Sequence, residues 1–331
     1  MYSVSVIIPV FNVERFIERC CKNLFEQTLD SIEFIFVNDC SPDNSITIVR
    51  KLLEEYPERK NDVQIIEHEV NKGLPSARNS GLKIASGEYV FHCDSDDWLE
   101  KEALFLLQQE ALKQDADVVW SDWYLSFKNN ERYMSQSPTT DKNIFSGKET
   151  VKLMLGGKVR YNVWNKLVKR KLYTDNEIWF PDGYGMGEDM TMIKLLAFAQ
   201  KVSYLPKALY HYVQLNEDAF TKKITDSHLQ QIRYNVDDIV TFLHKKYNDN
   251  LNETIQFFKL NTKLPFLISN DKKSYDRWQE WYPEANAYID KNPMFSKRIK
   301  FIQKAAEKRK YWILKLYYYL VIRFVYGIIY K

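Results

Sequence analysis

Cysteine is sparse in this 331-residue chain. Cys20, Cys21, Cys40 and Cys93 are its only examples, and no two have C-x-x-C spacing. That gives neither a zinc site nor a disulfide framework, and it suits an intracellular enzyme. No G-x-G-x-x-G follows the first apolar run; Pro9-Val10-Phe11-Asn12 stands there instead. A dinucleotide-binding dehydrogenase is thereby disfavoured. A nucleotidyltransferase, which normally shows a Gly-rich loop at that point, loses weight for the same reason. The N-terminal apolar run is too short for a signal peptide and lacks a basic lead. Internal repeats and low-complexity linkers are also missing. The long aromatic stretch near the C-terminus is interrupted by Lys315 and Arg323, which argues against a simple spanning helix of about 20 apolar residues. The chain is nevertheless long enough to bury a sizeable core, in more than one structural unit.

The N-terminal third alternates. Ser3 to Pro9, Ile32 to Asn38 and Val63 to Glu67 are short apolar runs suited to buried strands. Between the first two lies the helix-like stretch Glu14 to Gln27. Asp43 to Tyr56 follows the second, with Ser41-Pro42-Asp43-Asn44 as its start signal. Strands and helices at this spacing predict an α/β fold with a parallel, doubly wound sheet. Such sheets bind ligands in the crevice outside the carboxyl ends of their strands. Asp39 and the cluster Asp94, Asp96 and Asp97 both follow strand-like runs, so the two should share that crevice. Trp98 onward reads as helical, and one Asp there could cap a helix. Three carboxylates in four residues ask for more, namely a hard divalent cation shared with a phosphate.

Two further segments carry candidate chemistry. Asn71-Lys72-Gly73-Leu74-Pro75-Ser76-Ala77-Arg78-Asn79 joins a flexible glycine, two cations and a helix start at Pro75 or Ser76. Gly183-Tyr184-Gly185-Met186-Gly187 sets three glycines in five residues, then Glu188 and Asp189 at the mouth of a helix-like run, Met190 to Gln200. Residues 128 to 145 are polar and read as a surface loop. Asp226 to Tyr247 has helical spacing.

In their order, S-V-I-I-P-V-F-N, V-N-D-C-S-P-D, N-K-G-L-P-S-A-R-N and C-D-S-D-D-W resemble the signatures of family 2 glycosyltransferases, over about residues 3 to 215. The resemblance implies a GT-A fold: a doubly wound, mostly parallel sheet with helices on both faces, here with a C-terminal helical extension. It implies an inverting transfer from a nucleotide sugar, UDP-linked by preference, with Mn2+ or Mg2+ as cofactor. The nucleotide would be lined by Pro9, Val10, Phe11, Asp39, Asn71, Gly73, Arg78, Asp94 and Ser95, with Asp39 on the uracil and Arg78 near the nucleotide or pyrophosphate. Asp96 would be the metal ligand, with Asp94 and His211 as further candidates. Asp189 would be the general base and Glu188 its neighbour on the acceptor side. Trp164 and Lys166, in N-V-W-N-K-L-V, would face the acceptor, with Trp164 as a stacking platform. A carboxylate can accept the uracil N–H, and a metal stabilises a departing diphosphate.

Net charge is +3, but unevenly spread. Residues 296–331 hold ten Lys or Arg and one Glu, a balance of +9; the rest holds 37 basic and 43 acidic side chains, a balance of −6. Charge alone would permit nucleic-acid binding. The aliphatic and aromatic content of the tail favours an anionic lipid surface instead, with no nucleic-acid partner. The expected organisation is a nucleotide-sugar half at 1–98, an acceptor and catalytic half at 99–215, a helical extension at 216–295 and a basic aromatic tail at 296–331. The expected location is cytoplasmic, held peripherally on the inner face of the plasma membrane, with a saccharide or lipid-linked saccharide as acceptor in surface polysaccharide synthesis. A sugar nucleotidyltransferase and a non-catalytic nucleotide-sugar-binding protein are the alternatives.

Overall fold

The computed structural model describes residues 2–138, 141–216 and 224–329, with side chains as far as Arg323. The chain forms two compact units. One is Met1–Val151 with Arg160–Phe242; the other is Lys152–Val159 with Leu243–Lys331.

The first unit is built on a mixed, mostly parallel sheet. β1 (Val4–Val10) is buried along its whole length, as a central parallel strand covered on both faces must be. It pairs in parallel with β2 (Ile32–Asn38) and β4 (Tyr89–His92), and β2 pairs with β3 (Val63–Glu67). The sheet continues through β9 (Lys166–Lys169), β6 (Val118–Ser126) and β10 (Val202–Val213) to the two-residue β5 (Trp98–Leu99). β7 (Glu131–Met134) and β8 (Ile144–Phe145) add short antiparallel pieces to β6 and β10. The helices follow from amphipathic spacing. In α1 (Ile17–Phe25) the buried side chains are Ile17, Cys20, Cys21, Leu24 and Phe25, which is one helical face. α2 (Ser45–Glu55) packs beside α1, and α3 (Leu74–Ile84) packs on β1 and β2.

β2 and β3 coincide with the expected runs. Two expectations need correction. Trp98 opens a strand, not a helix: His211 and Tyr210 of β10 pair with it and Leu99, and the helix α4 (Ala103–Gln114) starts later. The polar stretch 128–145 holds two strands, because β6 and β10 each leave ladder positions for it to pair with. The remaining helices of this unit among the described residues are α5 (Gly147–Leu155), which runs into the second unit, α6 (Arg170–Thr174), α7 (Thr191–Phe198) and α8 (Asp226–Tyr247). The first unit runs past residue 215 because α8 holds the backbone of the Gly183–Gly187 loop. Gln231 accepts from the Met186 amide, and the Asn235 amide donates to the Tyr184 and Met186 carbonyls.

The second unit is helical: α9 (Asn252–Lys263), α10 (Lys272–Glu280), α11 (Lys297–Glu307) and α12 (Tyr311–Tyr317), which continues as a wider-wound helix, Tyr318–Ile329. The Lys263 ammonium is buried and donates to the carbonyls of Trp278, Trp281 and Tyr282 and to Asn286 Oδ1. α12 buries Leu314 and exposes Trp312, Leu316 and Leu320, one turn apart along its outer face. No helix among the described residues is long and apolar enough to cross a membrane.

Candidate active site

The sheet register brings three strand ends to one edge. Val10 pairs with Asn38, and His92 pairs with Ile7 of the same strand β1. Asp39 and Asp94 therefore emerge close to that edge. The two residues that follow the first strand ends, Asn12 and Cys40, have left-handed backbone at φ 54° and 55°. Non-glycine residues in that region are costly, and they gather where a fold must hold an unusual loop.

Asp39 organises the loop that enters α3. Its Oδ1 accepts from the Lys72 amide at 2.8 Å and lies 2.7 Å from His68 Nδ1, and its Oδ2 accepts from the Gly73 amide at 2.8 Å. Gly73 has φ 85°, which a side chain would strain, so the turn into α3 needs glycine here. Pro9 and Val10 are buried in β1, Phe11 is exposed beyond it, Asn71 is exposed and Ser95 is buried.

Arg78 links the strand-edge carboxylate to the acid pair after the glycine loop. Its side chain is 1% exposed, and its fork donates to Asp94 at 2.9 Å, Glu188 at 2.7 Å and Asp189 at 3.0 Å. Arg78 thus reaches a carboxylate 110 positions away in sequence and another only 16 away. The two terminal nitrogens of Arg78 serve this carboxylate bridge, while its buried Nε has no partner among the described residues. Glu188 and Asp189 sit on a short turn before α7, entered through Gly187 at φ 86°. Burial pushes the Glu188 carboxyl up, helped by the Asp189 charge and opposed by Arg78, to about 8. Asp189 is also raised by burial, while Arg78 pulls it back.

The acidic cluster divides. Asp97 points into the protein, accepting from the Val213 amide and the Tyr210 hydroxyl; burial, then Asp96 and Asp94, hold it well above the usual carboxylate range. Asp96 accepts from the Asn216 amide at 2.8 Å, and burial together with the Asp94 charge pushes it up. Among the described residues no three His, Cys, Asp or Glu side chains form a ready metal cage. Asp94 and Asp96 nonetheless fit a divalent ion of the kind held by one or two carboxylates plus substrate phosphates. Burial and the Asp94 charge disfavour the Asp96 carboxylate, and Arg19 favours it from a distance.

Three expectations are corrected. His211 is sandwiched between Trp98, 3.4 Å between centroids, and Tyr124; its Nε2 lies 2.9 Å from Glu100 and its Nδ1 2.8 Å from Glu131. Both ring nitrogens therefore face carboxylates rather than an open metal position. Trp164 is buried and stacked on Tyr210 and Tyr212, so it is core and offers no open face to a sugar. Lys166 is buried with its ammonium on Asn162 O and Asn165 Oδ1. Burial lowers it to about 7, and it contributes to the electrostatics of Asp189 from behind. The residues that sequence reasoning missed are Asn235 and Gln231, whose helix is far from the motifs and carries only generic amphipathic spacing.

Comparison with known proteins agrees with this geometry. The Glycosyl transferase family 2 model matches residues 5–175. A Bacillus subtilis protein named uncharacterized glycosyltransferase EpsJ is 31% identical over 275 residues, covering 81% of this chain and 77% of that protein. The Staphylococcus aureus poly(ribitol-phosphate) beta-N-acetylglucosaminyltransferase TarS is 30% identical over 223 residues, 66% of this chain and 36% of its own length. A crystal structure of S. aureus TarS 1-349 with UDP-GlcNAc superposes with a TM-score of 0.69 at 20% identity, covering 96% of this chain and 92% of that one, which establishes the shared GT-A fold. The ordered motifs, the strand-edge carboxylates and these matches together place the chain in glycosyltransferase family 2.

Proposed function

We propose that this glycosyltransferase moves a sugar from a UDP-linked donor to a saccharide or lipid-linked saccharide acceptor, with inversion, in surface polysaccharide synthesis. The observation that carries the reading is the Arg78 bridge, which sets a donor-side carboxylate and an acid pair around one buried cation. The UDP-GlcNAc complex of the TarS neighbour and the polymer acceptor in that relative's name support the substrate classes. The alternatives of a nucleotidyltransferase and a binding protein are set aside by the family.

Asp39 keeps unused lone pairs for a uracil N–H, since an ionised carboxylate offers about four acceptor positions. Asp189 takes the proton of the acceptor hydroxyl. The hydroxyl oxygen forms a bond to the anomeric carbon as the bond from that carbon to the diphosphate oxygen breaks, on the opposite face. Glu188, held mostly protonated at neutral pH, keeps the pair from carrying two charges. Asp96 and Asp94 would hold a Mn2+ or Mg2+ ion, which when bound stabilises the negative charge of the leaving diphosphate. The exposed Trp312, Leu316 and Leu320 among ten cations support peripheral attachment to the anionic inner face of the plasma membrane.

A screen of nucleotide sugars with Mn2+ or Mg2+ tests this. One UDP-sugar should release UDP. Release of pyrophosphate, or full activity in excess chelator, would overturn the reading in its donor chemistry or its metal respectively.

A further inference from the structure

The residues around the base loop carry aromatic surface that the fold does not need. Trp179 is 40% exposed, Tyr184 36% and Tyr234 45%. Tyr184, on the loop that leads to Asp189, stacks on Tyr234 of α8 with centroids 3.7 Å apart and planes 11° from parallel. Trp179 is fixed from the next residue: the Phe180 amide and carbonyl are both bonded to the buried Asn79 side chain. Between Trp179 and Tyr234 opens a cleft of about 180 Å3. Met190 and Thr191, the two residues directly after Asp189, form part of its lining. Its charged members are Lys194 and Asp238, an ion pair at 2.5 Å that is partly open to solvent, and Asn235 and Thr191 add polar lining.

Flat aromatic faces beside a charged hydrogen-bonding pair suit one ligand chemistry. A pyranose presents an apolar face of C–H groups and a rim of hydroxyls. The rings receive the face, and a carboxylate–ammonium pair receives the rim. A hydrocarbon lipid chain would have no use for an ion pair in the lining. The donor is accounted for elsewhere, at the strand edge with Asp39 and Asp94. We propose that this cleft is an acceptor subsite, holding the sugar unit next to the one whose hydroxyl is activated by Asp189. The inference rests on the glycosyltransferase reading and adds to it a preference for acceptors longer than one sugar.

The test uses the full chain and its variants Trp179→Ala and Tyr234→Ser. The probes are gluco-, galacto- and N-acetylglucosamine oligosaccharides of one to four units, followed by saturation-transfer NMR. UDP binding, which the proposed function assigns to the strand edge with Asp39 and Asp94, reports that each variant is folded. Oligosaccharides of two or more units should bind the parent protein, with monosaccharides much weaker. Loss of one ring should weaken binding roughly tenfold. Equal binding by parent and variants, or no binding by any oligosaccharide, overturns the subsite. UDP release from the donor by the parent protein is measured separately. If it fails while ring-dependent oligosaccharide binding holds, the transfer reading falls and the saccharide site stands. The opposite pattern removes only the subsite.

Discussion

Glu188 and Asp189 share one guanidinium nitrogen, yet their environments separate them. Both carboxyls are raised in the folded protein, Glu188 from 4.5 to about 8. The folded state therefore binds more protons than the unfolded chain through that window. Stability contributed by protonated Glu188 is complete below pH 4.5 and is lost as pH rises through about 8. Glu188→Gln removes this titration, so its melting temperature should fall less between pH 5 and 8 than that of the parent; parallel curves would refute the assignment. Asp189→Asn keeps size and hydrogen bonding but not basicity. Its turnover should drop by roughly 10²–10⁴-fold with UDP affinity almost unchanged. An active Asp189→Asn beside an inactive Glu188→Gln would move the base to Glu188. The sequence showed these acids because the glycines before them and the motif order single them out. It did not show what Arg78 grips, since a contact across 111 positions leaves no local signal.

Among the elements, α8 supports the Gly183–Gly187 loop through Gln231 and Asn235. Asn235→Ala would remove two hydrogen bonds to carbonyls of the loop, each worth about 0.5–1.5 kcal/mol. The catalytic rate should fall while UDP binding persists, and hydrogen exchange of residues 183–189 should quicken. Unchanged exchange would show that the glycine loop holds its shape unaided. Periodicity predicted α8 with its observed ends, Asp226 and Tyr247. It also located β2 and β3, whose apolar runs are bounded by polar residues. Trp98-Leu99 misled because an aromatic followed by helix formers reads as the start of a helix. Their strand state comes from β10, which pairs with them from more than 100 residues away.

For the whole molecule, the asymmetry of charge predicts where it sits. A variant with Trp312→Ser and Leu316→Ser changes only exposed positions and should remain folded. On vesicles containing anionic lipid, the parent should sediment at low salt and be partly released by high salt, because each cation near the surface contributes about 1 kcal/mol within a Debye length. The variant should be released almost completely. Equal and poor binding by both would make the tail a packing element. Composition announced the tail, but not that Leu314 turns inward while Trp312 faces out. The Arg78 bridge also bears on protein engineering. A natural route to new sugar chemistry would be to graft the donor half of one relative onto the acceptor half of another, cutting near residue 98. Such a chimera would join an arginine and an aspartate from one parent to the acid pair of the other. Unless both parents hold those carboxylates at the same reach, the hybrid would keep each parent's motifs intact and still be born with its base out of place.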